Sequence, residues 1–562
     1  MKYSELIKLN NNLGGVVRGP EYKISIISNI MLHQSKDICE YLLRIESINA
    51  IVSLGEYDNI VQDSAKVQDE NVVLIFWEVY NFIDGLQYKI DGLSDMEYRA
   101  LIDKIKTEVD LVFKNLNNIP LVLINKFSSI IFDRYGLLEN RMNLLVKELN
   151  MYLESVAGTN VKIIDVDKVI SRLSIESSID LRYYYLSKTL YSIDFYMQYF
   201  EYIKPIFLST VGRIKKALIF DCDNTLWKGI LGEDGFNGIK VYQEVQYLAL
   251  SLLKQGVIIG LCSKNNPMDV DEVLEKHPDM ILQNDDIVIK KVNWENKVTN
   301  LRSIAKDLNI GVDSLVFIDD SKFEIGLIKK ELPDISCFQV PSSEYKYGLM
   351  MRRLTNLFYN TSQTKEDIKK VQLYKGQLLR SSSIKPANID SYLESLGMVL
   401  TVHIDNSEQM LRIAQMTQKT NQFNLTTKRH TENDIKHLIE NKHISVISIS
   451  VSDRYGDNGV TGLAILNNKE SMIDMLLLSC RVLGRNIEYK FMDIIVNLAK
   501  NSNIKQLKSQ YIKTSKNQQV LSFYEQCGFI KNYSINNISD YILNIKDYKI
   551  QGKNYIKVRN GK

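Results

Sequence analysis

The sequence predicts a multidomain α/β protein, and three observations predict it. Short, almost wholly apolar runs alternate with amphipathic stretches from residue 23 to about residue 332. That is the pattern of parallel strands buried on both faces, with helices between them. At 562 residues the chain has room for three or four domains. Beyond about residue 388 the pattern changes to strand-like segments mixed with few helices, which predicts an α+β domain with a largely antiparallel sheet.

The strands expected first are KISIIS, AIVSL, VVLIF, PLVLI and VKIIDV, with helices over 95–115 and 137–156. They make a doubly wound domain over 1–211. KKALIF, GVIIGLC and SLVFID open a second βα series, with helices over 243–255, 267–277, 296–309 and 322–332. This second parallel-sheet domain spans 212–345. A helical connector over 346–387 leads to VLTVHI, HISVISISV, VTGLAIL and SMIDMLLLSC, the strands of the third domain, 388–562.

Composition excludes several classes. Lys and Arg number 70 against 67 Asp and Glu, so a net charge of +3 leaves no electrostatic footprint for nucleic acid. No run approaches the roughly 20 apolar residues of a membrane span. The start, MKYSELIKLNNN, lacks the apolar core of a signal peptide. The six cysteines form no CxxC pair and read as reduced thiols, so a cytoplasmic location is expected. HExxH, zinc-finger spacing and GxxxxGK[ST] are all missing from the sequence.

Chemistry concentrates in LIFDCDNTLW, residues 218–227. An apolar strand ends in Asp221, Asp223 and Thr225. Two carboxylates two residues apart project the same way from extended backbone. At the carboxyl end of a parallel strand they occupy the usual ligand-binding edge of an open α/β sheet. One is suited to attack a phosphoryl group and the other to handle protons. Their shared charge calls for a divalent cation, and oxygen donors suit Mg²⁺. Ser263 ends a second strand, followed by Lys264 and Asn265. Lys297 opens a helix, and Asp319 and Asp320 end a third strand. Alone, each is an ordinary turn residue; in this order they form one expected site. The metal set is Asp221, Asp223, Asp319 and Asp320. Asn224, Thr225, Lys264 and Asn265 are expected to bind substrate.

Asp221, Asp223, Thr225, Ser263, Lys297, Asp319 and Asp320 resemble the four motifs of the haloacid dehalogenase (HAD) phosphotransferases. DCDNTLWKGILGEDG, CSKNNP, FIDDSKFE, KTNQFNLTTKR, SDRYGDNG, SCRVLGR and FYEQCGF are together similar to the FkbH-like family. That resemblance implies removal of phosphate from 1,3-bisphosphoglycerate and loading of the glyceryl group, as a thioester, onto an acyl carrier protein of a polyketide or related pathway. Asp221 would form an aspartyl phosphate, with Asp223 as acid and base. The short insert between Asp223 and Ser263 leaves room for a flap and one helix but no cap domain. Cys262, in the CSKN motif, is the first candidate acyl acceptor and Cys480 the second. The alternatives are a HAD phosphatase without acyl transfer, acting on a sugar phosphate or phosphoprotein, and a non-catalytic docking protein.

The flanking domains carry resemblances too. The last resembles the GNAT acyltransferase fold, with Arg481, Gly484 and Arg485 before a helix whose N-terminus would meet a pyrophosphate. Asn486 replaces the small residue of that pattern, so the groove is expected to grip the carrier's phosphopantetheine arm, Arg481 and Arg485 meeting its phosphate. Asn421, Gln422 and Asn424 are read as hydrogen-bonding groups of a substrate or interdomain loop. The first domain looks SGNH-hydrolase-like, with Ser28–Asn29 after its first strand. No His lies between His33 and His277, so Ser28 reads as a turn residue and the domain as non-hydrolytic.

Overall fold

The computed structural model describes residues 2–132, 140–360, 372–376, 389–514, 516–535 and 537–561. The chain divides into two compact units. One is Met1–Phe207 with His430–Asp434; the other is Leu208–Arg429 with Ile435–Lys562.

The first unit is built on β1 (Tyr22–Ser28), β2 (Ala50–Tyr57), β3 (Val72–Phe76), β4 (Leu121–Asn125) and β5 (Val161–Ile164), all parallel, in the order β2-β1-β3-β4-β5. The runs VVLIF and LVLIN are buried at every position, so both faces of β3 and β4 are covered. Helix Asp95–Asn115 starts where Ser94 caps the Glu97 N–H and the Glu97 carboxylate bonds back to Ser94. The helix expected over 137–156 begins at Arg141, capped by Asn140; residues 137–139 lie outside the described residues. Ser28 is buried, and its hydroxyl donates to the Ile30 carbonyl at 2.5 Å. Asn29 bonds both the N–H and the C=O of Glu78. Ser28 therefore closes a local turn, while Asn29 ties the end of β1 to the residues after β3.

The second unit holds two principal sheets. β6 (Ala217–Phe220), β9 (Ile258–Ser263), β10 (Ile289–Val292), β11 (Leu315–Asp319) and β12 (Ser336–Gln339) are parallel, in the order β10-β9-β6-β11-β12. The strand order reverses between β6 and β11, which opens a crevice at their carboxyl ends. A ribbon of β7 (Trp227–Lys228) and β8 (Lys240–Val241), followed by helix Gln243–Lys254, fills the insert before β9. The insert is the expected flap and helix.

The other sheet has nine strands: β13 (Val399–Ile404), β14 (Phe423–Asn424), β15 (Ile444–Asp453), β16 (Gly456–Asn467), β17 (Met472–Leu478), β18 (Gln506–Ile512), β19 (Ile530–Ile535), β20 (Ile538–Asn544) and β21 (Lys557–Asn560). Pairing is antiparallel except β17 with β18 and β13 with β21. One face buries helix Ile487–Asn501 through Phe491, Met492 and Ile495. Of the expected connector, helix Tyr345–Leu354 and a 3₁₀ turn Thr355–Phe358 are described; residues 361–371 and 377–388 lie outside the described residues. No helix among the described residues is long and apolar enough to cross a membrane.

Candidate active site

The reversal between β6 and β11 gathers the acidic residues. Asp221 is the first residue past β6, and Asp319 ends β11 with Asp320 after it. Ligand oxygens of Asp221, Asp319 and Asp320 all lie within 4.8 Å of one another. Lys297 enters between them from the first turn of helix Lys297–Asp307, which Asn296 caps. Its ammonium is 3.0 Å from Asp221 Oδ2 and 2.6 Å from Asp319 Oδ2. The Ser263 hydroxyl, at the end of β9, hydrogen-bonds Asp221. The Asn224 side chain hydrogen-bonds Asp320, and its Oδ1 accepts from the Gly229 N–H at 3.0 Å.

The electrostatics follow from crowding in a dry pocket. Burial pushes the Asp221 carboxyl above the usual carboxylate range, Lys297 opposes that, and the charge of Asp319 adds to it. Asp319 is raised by burial and likewise opposed by Lys297. Burial and then the charge of Asp221 raise Asp320. Lys297 is held above its ordinary value because the two aspartates outweigh the cost of burying its charge. Three carboxylates against one ammonium leave an excess of negative charge facing an all-oxygen donor set. That is the donor chemistry a small hard cation such as Mg²⁺ takes, so the residues fit the ion.

Asp223 departs from the expected metal set. Its Oδ1 accepts from the Trp227 indole N–H at 3.0 Å and the Leu231 N–H at 3.1 Å, and its Oδ2 from Asn265 Nδ2 at 2.9 Å. The strand alternation behind the expectation stops at Phe220; Asp223 sits in the turn beyond β6 and its carboxylate is not in the acidic trio. Three donors fix this carboxylate apart from the trio. The Trp227 contact was not anticipated, although a buried indole N–H generally finds an acceptor. Asn265 donates to Asp223, and Lys264, half-exposed, is ion-paired with Glu324 at 2.7 Å. Thr225 is buried; its carbonyl accepts from Tyr347 Oη at 2.9 Å, while its hydroxyl has no partner.

Cys262 is not placed to accept an acyl group. It is fully buried on β9, packed with Ile219, Leu301 and Phe317, and burial pushes its thiol well up. Its Sγ lies 3.9 Å from the Lys297 carbonyl. The other expected binding groups are committed as well. Arg485 is buried against Asp453 at 3.2 Å and donates to the Arg481 carbonyl, so it has no guanidinium edge for a carrier phosphate. Asn421 donates to the Gly212 carbonyl and accepts from Arg429. Asn424, wholly buried, bonds the Thr420 carbonyl and the Thr427 N–H. Gln422 keeps a buried Oε1 without a partner. Gly484 takes a left-handed φ of +76°, which a glycine adopts without strain.

Three large apolar side chains on the segments that follow strands of this sheet stand in water. Met268, Trp294 and Phe323 are 78%, 75% and 74% exposed, and each lies in the segment following β9, β10 or β11.

No protein-family model matches the chain, and no curated protein matches it. Among solved structures, it is similar to the N-terminal part of the protein BF1531 from Bacteroides fragilis, which contains a phosphatase domain and was crystallised with Mg. Identity is 24% over 64% of this chain and 100% of that one, with a TM-score of 0.55. The two share a fold. A mutant spermidine N-acetyltransferase from Vibrio cholerae (12% identity, 26% of this chain and 94% of that one) has a TM-score of 0.21. An N-acetyltransferase from Staphylococcus aureus (14%, 26% and 98%) also has a TM-score of 0.21.

Proposed function

We propose that the protein is a Mg²⁺-dependent enzyme that takes a phosphoryl group from a phosphate monoester onto Asp221 and passes it to water. Carrying this reading is the convergence of Asp221, Asp319 and Asp320 around Lys297, with Asp223 held separately. Mg²⁺ held by Asp221, Asp319 and Asp320 would neutralise charge on the phosphoryl oxygens. Asp221 attacks phosphorus, forming an O–P bond as the ester O–P bond breaks, and Asp223 gives its proton to the leaving alkoxide. Asp223 then takes a proton from water, which attacks phosphorus and frees Asp221. Lys297 and the Ser263 hydroxyl, both on Asp221, keep its carboxylate aimed and offset charge as the phosphoryl group arrives. A short flap instead of a cap leaves the pocket accessible to a large substrate.

The finer reading follows the motif resemblance. The substrate is a phosphorylated glycerate, and the glyceryl unit ends as a thioester on an acyl carrier protein in the cytoplasm. With Cys262 in the core, the carrier's own thiol is the acceptor at this pocket. Hydrolysis without acyl transfer is the second reading, favoured by the burial of that cysteine. Incubating the enzyme with Mg²⁺, 1,3-bisphosphoglycerate and a holo carrier separates the two. Phosphate release with a glyceryl mass gain on the carrier supports the first, and phosphate release alone the second. An Asp221→Asn protein that hydrolyses aryl phosphate as fast as the wild type would sink both.

A further inference from the structure

Among the described residues three donors meet the Asp223 carboxylate, and two of them belong to the flap insert. Trp227, on β7, donates its indole N–H to Oδ1. The backbone N–H of Leu231, the first residue of helix Leu231–Asp234, donates to the same oxygen. Asn265, past the end of β9, donates to Oδ2. An ionised carboxylate has about four lone-pair sites, two on each oxygen. Both sites of Oδ1 are therefore taken. Oδ2 keeps one, so it is the oxygen left to carry a proton.

The arrangement begins in the turn after β6. The Thr225 and Leu226 N–H groups donate to the Cys222 carbonyl at 3.1 and 2.8 Å, and a backbone bridge joins Asp223 to Trp227. The chain curls back on itself and brings the indole against the carboxylate. Trp227 is wholly buried and packs in one cluster with Leu226, Leu231, Ile239 and Val241. A large ring in a close-packed interior cannot swing without displacing its neighbours, so its N–H keeps one direction. An indole can only donate, and a buried one needs an acceptor. Asp223 is only half-buried, free to turn about its side-chain bonds where nothing holds it. The fixed indole decides where it stops.

We infer that Trp227, with the Leu231 N–H beside it, is the positioning residue of Asp223, locking that carboxylate with Oδ2 turned to the leaving oxygen of the phosphate ester. The inference rests on the reading of Asp223 as proton donor. Trp227 acts through Asp223 and not on the substrate. A donor held loosely delivers its proton less often, and the loss is felt in proportion to how much the leaving group needs that proton.

Two esters of nearly one shape test it on the full chain with Mg²⁺: phenyl phosphate and p-nitrophenyl phosphate. A phenol has a pKa of about 10, so phenoxide departs slowly without a proton. The nitro group spreads the charge, and nitrophenoxide departs without one. In Trp227→Phe, kcat/KM for phenyl phosphate should fall at least about tenfold, and for p-nitrophenyl phosphate less than about threefold. An equal fall for both esters overturns the inference, because damage to the fold does not sense the leaving group; no fall for either overturns it too. Asp223→Asn separates this inference from the reading beneath it. If that variant also treats the two esters alike, the proton-donor reading fails. If it discriminates and Trp227→Phe does not, only the positioning role fails. Should Trp227→Phe not fold, Leu231→Pro replaces it and removes the other Oδ1 donor. Proline suits the first residue of a helix, and Ile230 before it is already extended. The same split between the esters is expected there, and its absence is equally fatal.

Discussion

Lys297 shows how much a single side chain carries. It is 4% exposed and the direct counter-charge of Asp221 and Asp319. Lys297→Met leaves two buried carboxylates facing each other, and should lower metal-free stability by about 3–5 kcal/mol in urea titrations. Asp223→Asn tests a different role. Turnover of an aryl phosphate should fall roughly 10²–10⁴-fold, while Mg²⁺ affinity, measured by calorimetry, stays as in the wild type. In the first unit, burial pushes Glu78 up to about 7 from 4.5, opposed by its bond from Tyr191. Below pH 4.5 folded and unfolded chains both hold that proton, so Glu78 has no effect. As pH rises the unfolded chain releases it first, stability falls, and the loss is complete above about pH 7. Glu78→Gln should therefore match the wild type at pH 4 and exceed it by about 3 kcal/mol at pH 8 in denaturant titrations. The acidic positions were legible because each ends an apolar run. The separation of Asp223 from the metal set was not, because alternation applies only while the chain stays extended.

Among the elements, the flap insert depends on a buried amide. Gln246, on helix Gln243–Lys254, donates to the Leu226 carbonyl at 3.1 Å and accepts from the Ile281 and Leu282 N–H groups at 3.0 Å each. Gln246→Leu removes a partner from all three buried groups and should cost about 2–4 kcal/mol, read as a lower thermal midpoint. Strands covered on both faces declared themselves in the sequence: VVLIF became β3 without a residue's error. β18 and β20 did not, because QLKSQYI and ISDYILN bury only alternate residues and lack a long apolar run. β12 buries no residue fully and offered still less pattern. Helix limits were readable where a cap stands at the first turn, as Asn266 does before Pro267–Lys276 and Ser321 before Lys322–Glu331.

For the whole molecule, every residue of the acidic site lies between 221 and 320, inside the second unit. A protein comprising residues 208–562 should keep Mg²⁺-dependent hydrolysis of an aryl phosphate within about threefold of the full chain. Turnover near zero in a well-folded fragment would give the first unit a catalytic part. The two parallel sheets were legible from their βα alternation. The pairing of the third sheet was not, because β13 meets β21 across more than 150 residues, a contact no local pattern encodes. The exposure of Met268, Trp294 and Phe323 has a practical result at the bench. Sulfate and similar excluded salts sharpen the tendency of such surface to leave water. The protein should therefore be retained on a phenyl resin in ammonium sulfate, and anything that covers these side chains should elute it early.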